Sequence, residues 1–272
     1  MKILICDKTE ADAIERMREA GIQVDVNDTI TPEELLKVIP DYDGMVVRSR
    51  TKVRAPLLDA GQNLKVIVRG GVGLDNIDAE YARSKGITVL NTPEASSASV
   101  AELAIGYLFA LARHIGQATC SMREGKWEKK KFEGTEIAGK TLGIIGIGRI
   151  GHETASRAIA LGMKVLAYDP YVSKFYEGEM VEFDELLSRS DYISLHLPHT
   201  EATHHMVSVE QFRKMKTGVR IINCSRGGIV DEEALYDAIV SGKVAGAALD
   251  VFAEEPLTDY KLFQLEQVIG SP

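Results

Sequence analysis

The chain has 272 residues, long for a single core and comfortable for two α/β domains, enough to bury roughly 75% of its unfolded surface with no metal or disulfide. A formal net charge of −8 excludes a nucleic-acid partner, since phosphate backbones demand clustered cations. Cys6, Cys120 and Cys224 are widely spaced and form no C-x-x-C pair, the start lacks a leader pattern, and no apolar run nears the ~18 residues of a span; a cytoplasmic protein without a membrane partner is expected.

Short β-branched runs at residues 3–5, 24–26, 45–47, 66–68 and 88–90 alternate with helical patterns, which predicts buried parallel strands joined by crossover helices. A helix beginning near Thr9 closes at Gly21. The next announces its start in Thr31-Pro32-Glu33-Glu34: an N-cap, a proline at the first helical position and a glutamate placed for a capping box. After Asn91-Thr92-Pro93, residues 97–117 are apolar almost all round and read as one long helix buried between domains or subunits. The alternation restarts at Thr141, with strands over 141–145, 164–168, 192–197, 220–224, 245–250 and 267–269. A boundary near Pro93 therefore separates a smaller domain, 1–93, from a cofactor domain, 94–272. The fold class is α/β, with two doubly wound domains.

The strand over 141–145 runs straight into Gly146-Ile147-Gly148-Arg149-Ile150-Gly151, and a helix leaves that turn. In this context the glycines have separate reasons. Gly146 permits a tight turn, Gly148 lets backbone approach a pyrophosphate, and Gly151 lets helix pack on strand. The helix start, Arg149 and Ile150 included, aims N–H groups and a positive dipole end at the phosphates. The next strand ends at Asp169, 18 residues past the last glycine, where a carboxylate accepts from the adenosine ribose hydroxyls. That carboxylate would repel a 2′-phosphate, and Pro170-Tyr171-Val172 supplies no arginine to hold one, so the expected cofactor is NAD.

Several long stretches are familiar: Val47-Arg48-Ser49-Arg50-Thr51-Lys52-Val53, Gly71-Val72-Gly73-Leu74-Asp75-Asn76, Asn223-Cys224-Ser225-Arg226-Gly227-Gly228, and Leu249-Asp250-Val251-Phe252-Ala253-Glu254-Glu255-Pro256. With them the chain resembles the D-isomer-specific 2-hydroxyacid dehydrogenases over nearly its whole length. The resemblance implies a Rossmann NAD-binding domain and a smaller flavodoxin-like, substrate-binding one. It implies that Arg226 clamps the substrate carboxylate and polarises the C2 oxygen, where a planar guanidinium fork suits the task. Glu255 would pair with a catalytic histidine and raise its pKa. Asp250 would hold the nicotinamide carboxamide, while Cys224 and Ser225 line that ring and Leu197 and Pro198 belong to a cofactor-contacting loop. Gly71, Val72 and Gly73 would offer N–H groups to the substrate carboxylate.

In that family the histidine follows an S/T-P pair after the last strand, and the sequence here runs to Ser271-Pro272. The expectation is a chain that binds NAD yet turns over poorly. The six histidines present, His114, His152, His196, His199, His204 and His205, read as structural or solvated. The adjacent side chains of His204 and His205 are expected to diverge, so no metal site is predicted.

Within the family, the resemblance is strongest to members that oxidise 3-phosphoglycerate, the entry to serine synthesis. That substrate needs cations beyond Arg226; Arg48, Arg50, Lys52 and Arg69 lie at or just past strand ends, with Arg48 on the phosphate-contacting position. Lys129-Lys130-Lys131 reads as a solvated arm. Two other readings stay open: a glyoxylate or hydroxypyruvate reductase, and a non-catalytic NAD-sensing interaction protein like the corepressors built on this fold. A homodimer formed through the helix at 97–117 and the Trp127 arm is implied by the resemblance.

Overall fold

The computed structural model describes residues 1–272, which divide into two compact units, Met1–Ser96 and Ser97–Pro272. In the first, five strands alternate with four helices: β1 (Lys2–Ile5), α1 (Ala11–Glu19), β2 (Gln23–Val26), α2 (Pro32–Val38), β3 (Gly44–Val47), α3 (Ala55–Ala60), β4 (Val66–Arg69), α4 (Ala79–Ser84) and β5 (Thr88–Asn91). All pairings are parallel, in the order β2-β1-β3-β4-β5, the flavodoxin-like winding expected. Leu4, Met45 and Ile67 project into a core closed by Leu35, Leu57, Leu58 and Ala82 from the helices. The capping box is present: Thr31 Oγ1 accepts from the Glu34 N–H at 3.2 Å and Glu34 Oε2 from the Thr31 N–H at 3.0 Å. Such a cap stabilises a helix start by about 1 kcal/mol.

The second unit opens with α5 (Ser97–Arg113) and α6 (Ile115–Arg123). It continues with β6 (Thr141–Ile145), α7 (Arg149–Ala160), β7 (Lys164–Tyr168), β8 (Glu179–Met180), α8 (Phe183–Arg189), β9 (Tyr192–Leu195), α9 (Val209–Lys214), β10 (Val219–Asn223), α10 (Glu232–Val240), β11 (Val244–Leu249) and β12 (Val268–Gly270). The parallel sheet has the order β12-β11-β10-β9-β6-β7-β8. From β6 the chain winds out to β8, returns to β9 on the other side of β6 and winds out again to β12, a Rossmann sheet with one added strand. Successive strand residues feed opposite faces. Leu142, Ile144 and Ile222 pack with Leu108, Ala155 and Ala158 of α5 and α7; Ile145, Ile193 and Ile221 pack with Leu186, Phe212 and Leu235 of α8 to α10.

Two expectations need correction. Residues 97–117 are not one helix: His114 adopts φ 54°, the Ala112 carbonyl accepts from the Thr135 N–H at 2.9 Å, and α5 and α6 diverge by 63°. Tertiary capping by a distant segment overrides the apolar pattern. Within this chain Ala104, Leu108 and Leu111 of α5 face the sheet and Glu102, Gly106 and Phe109 lie on its exposed side. No single helix is long and apolar enough to cross a membrane. The two-residue β8 escaped the sequence pattern because it carries no apolar run, and the strand expected over 192–197 ends at Leu195.

Candidate functional site

In the larger unit the winding reverses between β6 and β9, the position where open α/β sheets bind ligands beyond their carboxyl ends. The glycine turn sits there. Gly146 has φ 92°, its N–H donates to the Tyr168 carbonyl at 2.8 Å, and a Cβ on it would lie 2.6 Å from the His196 carbonyl oxygen and 2.8 Å from Leu197 Cδ2. Leu197 thus packs against the turn from the β9 loop, and the exposed Pro198 follows it. A Cβ on Gly151 would lie 2.1 Å from the Gly146 carbonyl oxygen, so helix and strand meet there without room for a methyl group. Gly148 is different. It is exposed at the N-cap of α7, and a Cβ on it would meet nothing within 4 Å. The turn is closed where the protein packs on itself and open where a pyrophosphate would rest, so these residues fit NAD. Arg149 is exposed and Ile150 half-buried in the opening turn of α7.

Asp169 directs its carboxylate back at this turn. Oδ2 accepts from the Ile147 N–H at 3.0 Å and Oδ1 from the Tyr171 N–H at 2.8 Å. Each oxygen keeps a second lone pair, enough to accept from ribose hydroxyls.

A second group gathers past β10 and β11. Asn223, 2% exposed, accepts through Oδ1 from the Ser225 N–H at 3.1 Å and the Ser225 hydroxyl at 2.7 Å, and its Nδ2 donates to the Arg226 carbonyl at 3.0 Å. This folds the chain so that Arg226 is half-buried, with Nη1 donating to the Ser225 carbonyl at 2.6 Å. Asp250 joins through its N–H, which donates to the Asn223 carbonyl at 3.0 Å, and its Oδ1 accepts from the Ser271 hydroxyl. A Cβ on Gly227 would fall 1.8 Å from the Phe252 carbonyl oxygen, so the Arg226 turn rests directly on the β11 loop. Glu255, exposed on that loop, accepts from the Phe252 N–H at 3.1 Å. Arg226, Asp250 and Glu255 are therefore brought to one end of the sheet. Burial first, then Asp250, pushes the buried Cys224 thiol up to about 12, so it presents a neutral wall. Asn223 was not singled out by its sequence pattern; its position between a strand end and Ser225 is the signal of an Asx-type turn.

The histidines past β9 differ from expectation. His204 and His205 stack with centroids 4.0 Å apart, because the left-handed φ of 49° at His205 turns its ring back over its neighbour. His199 Nε2 lies 3.1 Å from His204 Nδ1. No group of three or more His, Cys, Asp and Glu side chains has the geometry to hold a metal. His196 has its Nδ1 buried without a partner and its Nε2 2.9 Å from Ser194 Oγ, and burial lowers its pKa to about 4.

In the smaller unit, Asp7 follows β1 and is 4% exposed. Its Oδ2 accepts from the Arg48 N–H at 2.5 Å, and its Oδ1 accepts from Arg50 Nε and the Thr51 hydroxyl, each at 3.0 Å. The Arg50 side chain is 49% exposed, yet its guanidinium is engaged by the protein itself: Nη1 donates to the Ile30 carbonyl at 2.9 Å and Nη2 to that of Cys6. It neutralises a buried carboxylate. Arg48 is exposed, its stem lying over Gly70, and Lys52 is exposed too. Arg69 Nη2 donates to Ser49 Oγ at 3.2 Å, and a Cβ on Gly71 would meet Arg69 Nη1 at 1.9 Å. The Gly71 N–H donates to the Arg69 carbonyl at 2.9 Å, so of the three N–H groups expected to face a carboxylate it is already engaged. Val72 and Gly73 remain for that use.

The family model described as the NAD-binding domain of D-isomer-specific 2-hydroxyacid dehydrogenases matches residues 105–272. A hydroxypyruvate reductase from Thermotoga maritima is 56% identical over 244 residues, 88% of this chain and 80% of its own. A D-3-phosphoglycerate dehydrogenase from Methanocaldococcus jannaschii is 49% identical over 277 residues, 100% of this chain and 53% of its own, so the chain spans about half the length of that relative. Among solved structures, a protein from Thermus thermophilus superposes with a TM-score of 0.92 at 34% identity, covering 100% of this chain and 89% of the other.

Proposed function

Because the chain belongs to the D-isomer-specific 2-hydroxyacid dehydrogenases and carries their NAD-binding domain, we propose that the protein oxidises 3-phosphoglycerate at C2 to 3-phosphohydroxypyruvate. The observation that carries this reading is Arg48, an exposed cation whose N–H is tied to the buried Asp7, while the guanidinium of nearby Arg50 is engaged by Asp7 and two backbone carbonyls. A phosphorylated substrate needs such a fixed second cation, whereas an unphosphorylated one does not. NAD, held at Gly146, Gly148, Gly151 and Asp169, would supply the acceptor for the hydride of C2. Arg226 holds the substrate carboxylate and the C2 oxygen, Val72 and Gly73 donate N–H groups to the carboxylate, and Asp250 orients the carboxamide of the cofactor. Glu255 serves the histidine that the family carries after its S/T-P pair, holding it ready for the hydroxyl proton.

Hydroxypyruvate reduction is the second reading, favoured by the relative at 56% identity. Arg48→Ala in the full-length protein separates the two. Loss of an Arg–phosphate pair should lower kcat/KM for the phosphorylated substrate by about 10- to 100-fold and leave unphosphorylated hydroxypyruvate nearly untouched. Equal effects on both would sink the assignment to 3-phosphoglycerate. The reading includes a homodimer, supported by Trp127, which is 81% exposed on the segment after α6; sedimentation of the wild type against Trp127→Ala tests it.

A further inference from the structure

The smaller unit contains a polar network that none of the proposed chemistry uses directly. Asp7, Thr51 and Asn76 are all buried, at 4%, 7% and 5% exposure, in a molecule whose other buried side chains are mostly apolar. A buried carboxylate is unfavourable unless paired and hydrogen-bonded, so its presence calls for a physical reason. The partners supply one. Asp7 Oδ2 accepts from the Arg48 N–H, and Asn76 Nδ2 donates to the Arg48 carbonyl at 2.6 Å and to the Thr51 carbonyl at 2.7 Å. The residue Arg48 is thus gripped at both backbone polar groups, and the methylene stem of its side chain lies over Gly70, where a Cβ would come within 3.4 Å of Arg48 Cγ. Arg50 supplies the counter-charge that makes the buried carboxylate tolerable.

We infer that Asp7 and Asn76 are positioning residues for Arg48: together they fix where this guanidinium is presented and so set the preference for a phosphorylated over an unphosphorylated 2-hydroxy acid. The inference rests on the reading of Arg48 as the phosphate-binding cation. A loop residue free at its backbone would sample many directions for a five-donor side chain, and recovering a single one on binding would weaken affinity. The network does that ordering in advance. It also separates two arginines two residues apart, Arg50 bound through its guanidinium and Arg48 through its backbone.

Two variants act on the grip from opposite sides. Asp7→Asn keeps the shape and leaves an acceptor for Thr51, but removes the charge and sets an amide donor against the Arg48 N–H. Asn76→Ala releases the Arg48 carbonyl without touching the charge. In the full-length protein, the measured quantity is the ratio of kcat/KM for 3-phosphohydroxypyruvate to that for hydroxypyruvate, with NADH affinity followed alongside. Each variant should lower the ratio by about 5- to 50-fold, equivalent to about 1–2.3 kcal/mol, mainly through KM, and leave NADH affinity in the other unit within about twofold. Added to Arg48→Ala, neither should lower the ratio further, because both act through Arg48. If Arg48→Ala lowers the ratio but both variants keep the wild-type value, the network is structural only and the inference is wrong. If Arg48→Ala itself leaves the ratio unchanged, the phosphate reading has failed and the inference falls with it. Should Asp7→Asn not fold, Asn76→Ala decides the matter alone.

Discussion

Replacing Gly148 with alanine should separate cofactor binding from folding in the glycine turn. At this residue φ is −69° and ψ −166°, a region open to any L-residue, and the added Cβ would meet no atom within 4 Å. The entropy that alanine removes from the unfolded chain favours the variant by about 0.4–1 kcal/mol, and the weaker N-cap preference of alanine offsets a similar amount. The melting temperature without ligand should therefore move by no more than about 2 °C. NAD binding should suffer, because the methyl group holds the pyrophosphate away from the N–H groups opening α7. Loss of one or two charge-assisted hydrogen bonds is about 3 kcal/mol, or about a hundredfold in Kd. At NAD concentrations a hundred times the wild-type Kd, the wild type gains about 2.7 kcal/mol, which raises Tm by about 5–11 °C. The variant, then at its own Kd, gains about 0.4 kcal/mol and about 1–2 °C. Differential scanning fluorimetry with and without NAD, with Kd by NADH fluorescence, measures both quantities. A variant with a wild-type Kd and a full ligand-induced shift would refute the placement of the pyrophosphate against Gly148. Gly151→Ala is the contrast: its Cβ, 2.1 Å from the Gly146 carbonyl oxygen, should destabilise the protein even without NAD.

Asp169→Ala should weaken NAD by about tenfold or more and narrow its preference over NADP, since the carboxylate that accepts from ribose and repels a 2′-phosphate is gone; parallel titrations with NADH and NADPH check this, and an unchanged ratio counts against the role. Asn223→Ala removes three hydrogen bonds to Ser225 and Arg226 and should lower unfolding free energy by about 2–4 kcal/mol in urea, with a wild-type midpoint as the contrary result. Burial holds His196 near 4 instead of 6.5, so the unfolded chain takes up the proton first as pH falls. Its contribution is complete above pH 6.5 and is lost progressively down to pH 4, by about 3 kcal/mol; His196→Gln should flatten that part of the stability–pH curve, and an equally steep curve would show that other groups cause it.

What could be read from the sequence was whatever the local pattern determines. The capping box at Thr31 needs only a hydroxyl and a glutamate three residues apart, and both hydrogen bonds formed. The strands could be found because parallel strands buried on both faces leave continuous apolar runs, and β8, with two residues and no such run, could not. The glycine turn was legible since each glycine answers to a separate steric need. The break at His114 was not: it depends on Thr135 arriving from a distant segment to take the Ala112 carbonyl. The direction of Arg50 was hidden for the same reason. Nothing in Arg48-Ser49-Arg50 distinguishes the two arginines until Asp7, 43 residues from Arg50, takes the backbone of one and the guanidinium of the other.

The two arginines assigned to substrate are held by the same physical means, and the requirement is general to parallel sheets. A loop at the carboxyl end of a strand must satisfy its own buried polar groups, yet keep some donors open for a ligand. The interior of a ladder or helix cannot do this, because it engages every N–H and leaves donors open only at helix starts and sheet edges. A short buried side chain with two or three hydrogen-bonding atoms can bind selected groups and leave the rest. Asn223 does so for Ser225 and Arg226, and Asp7 with Asn76 for Arg48 and Thr51. In each case the anchor belongs to the same unit as the arginine it holds, so the backbone that carries each guanidinium is in place before any ligand arrives. Substitutions at the anchors should therefore be felt in substrate selection as well as in the fold, whereas truncating Leu142 or Ile144 in the sheet to alanine leaves a cavity, costs about 2–5 kcal/mol and should be felt in the fold alone.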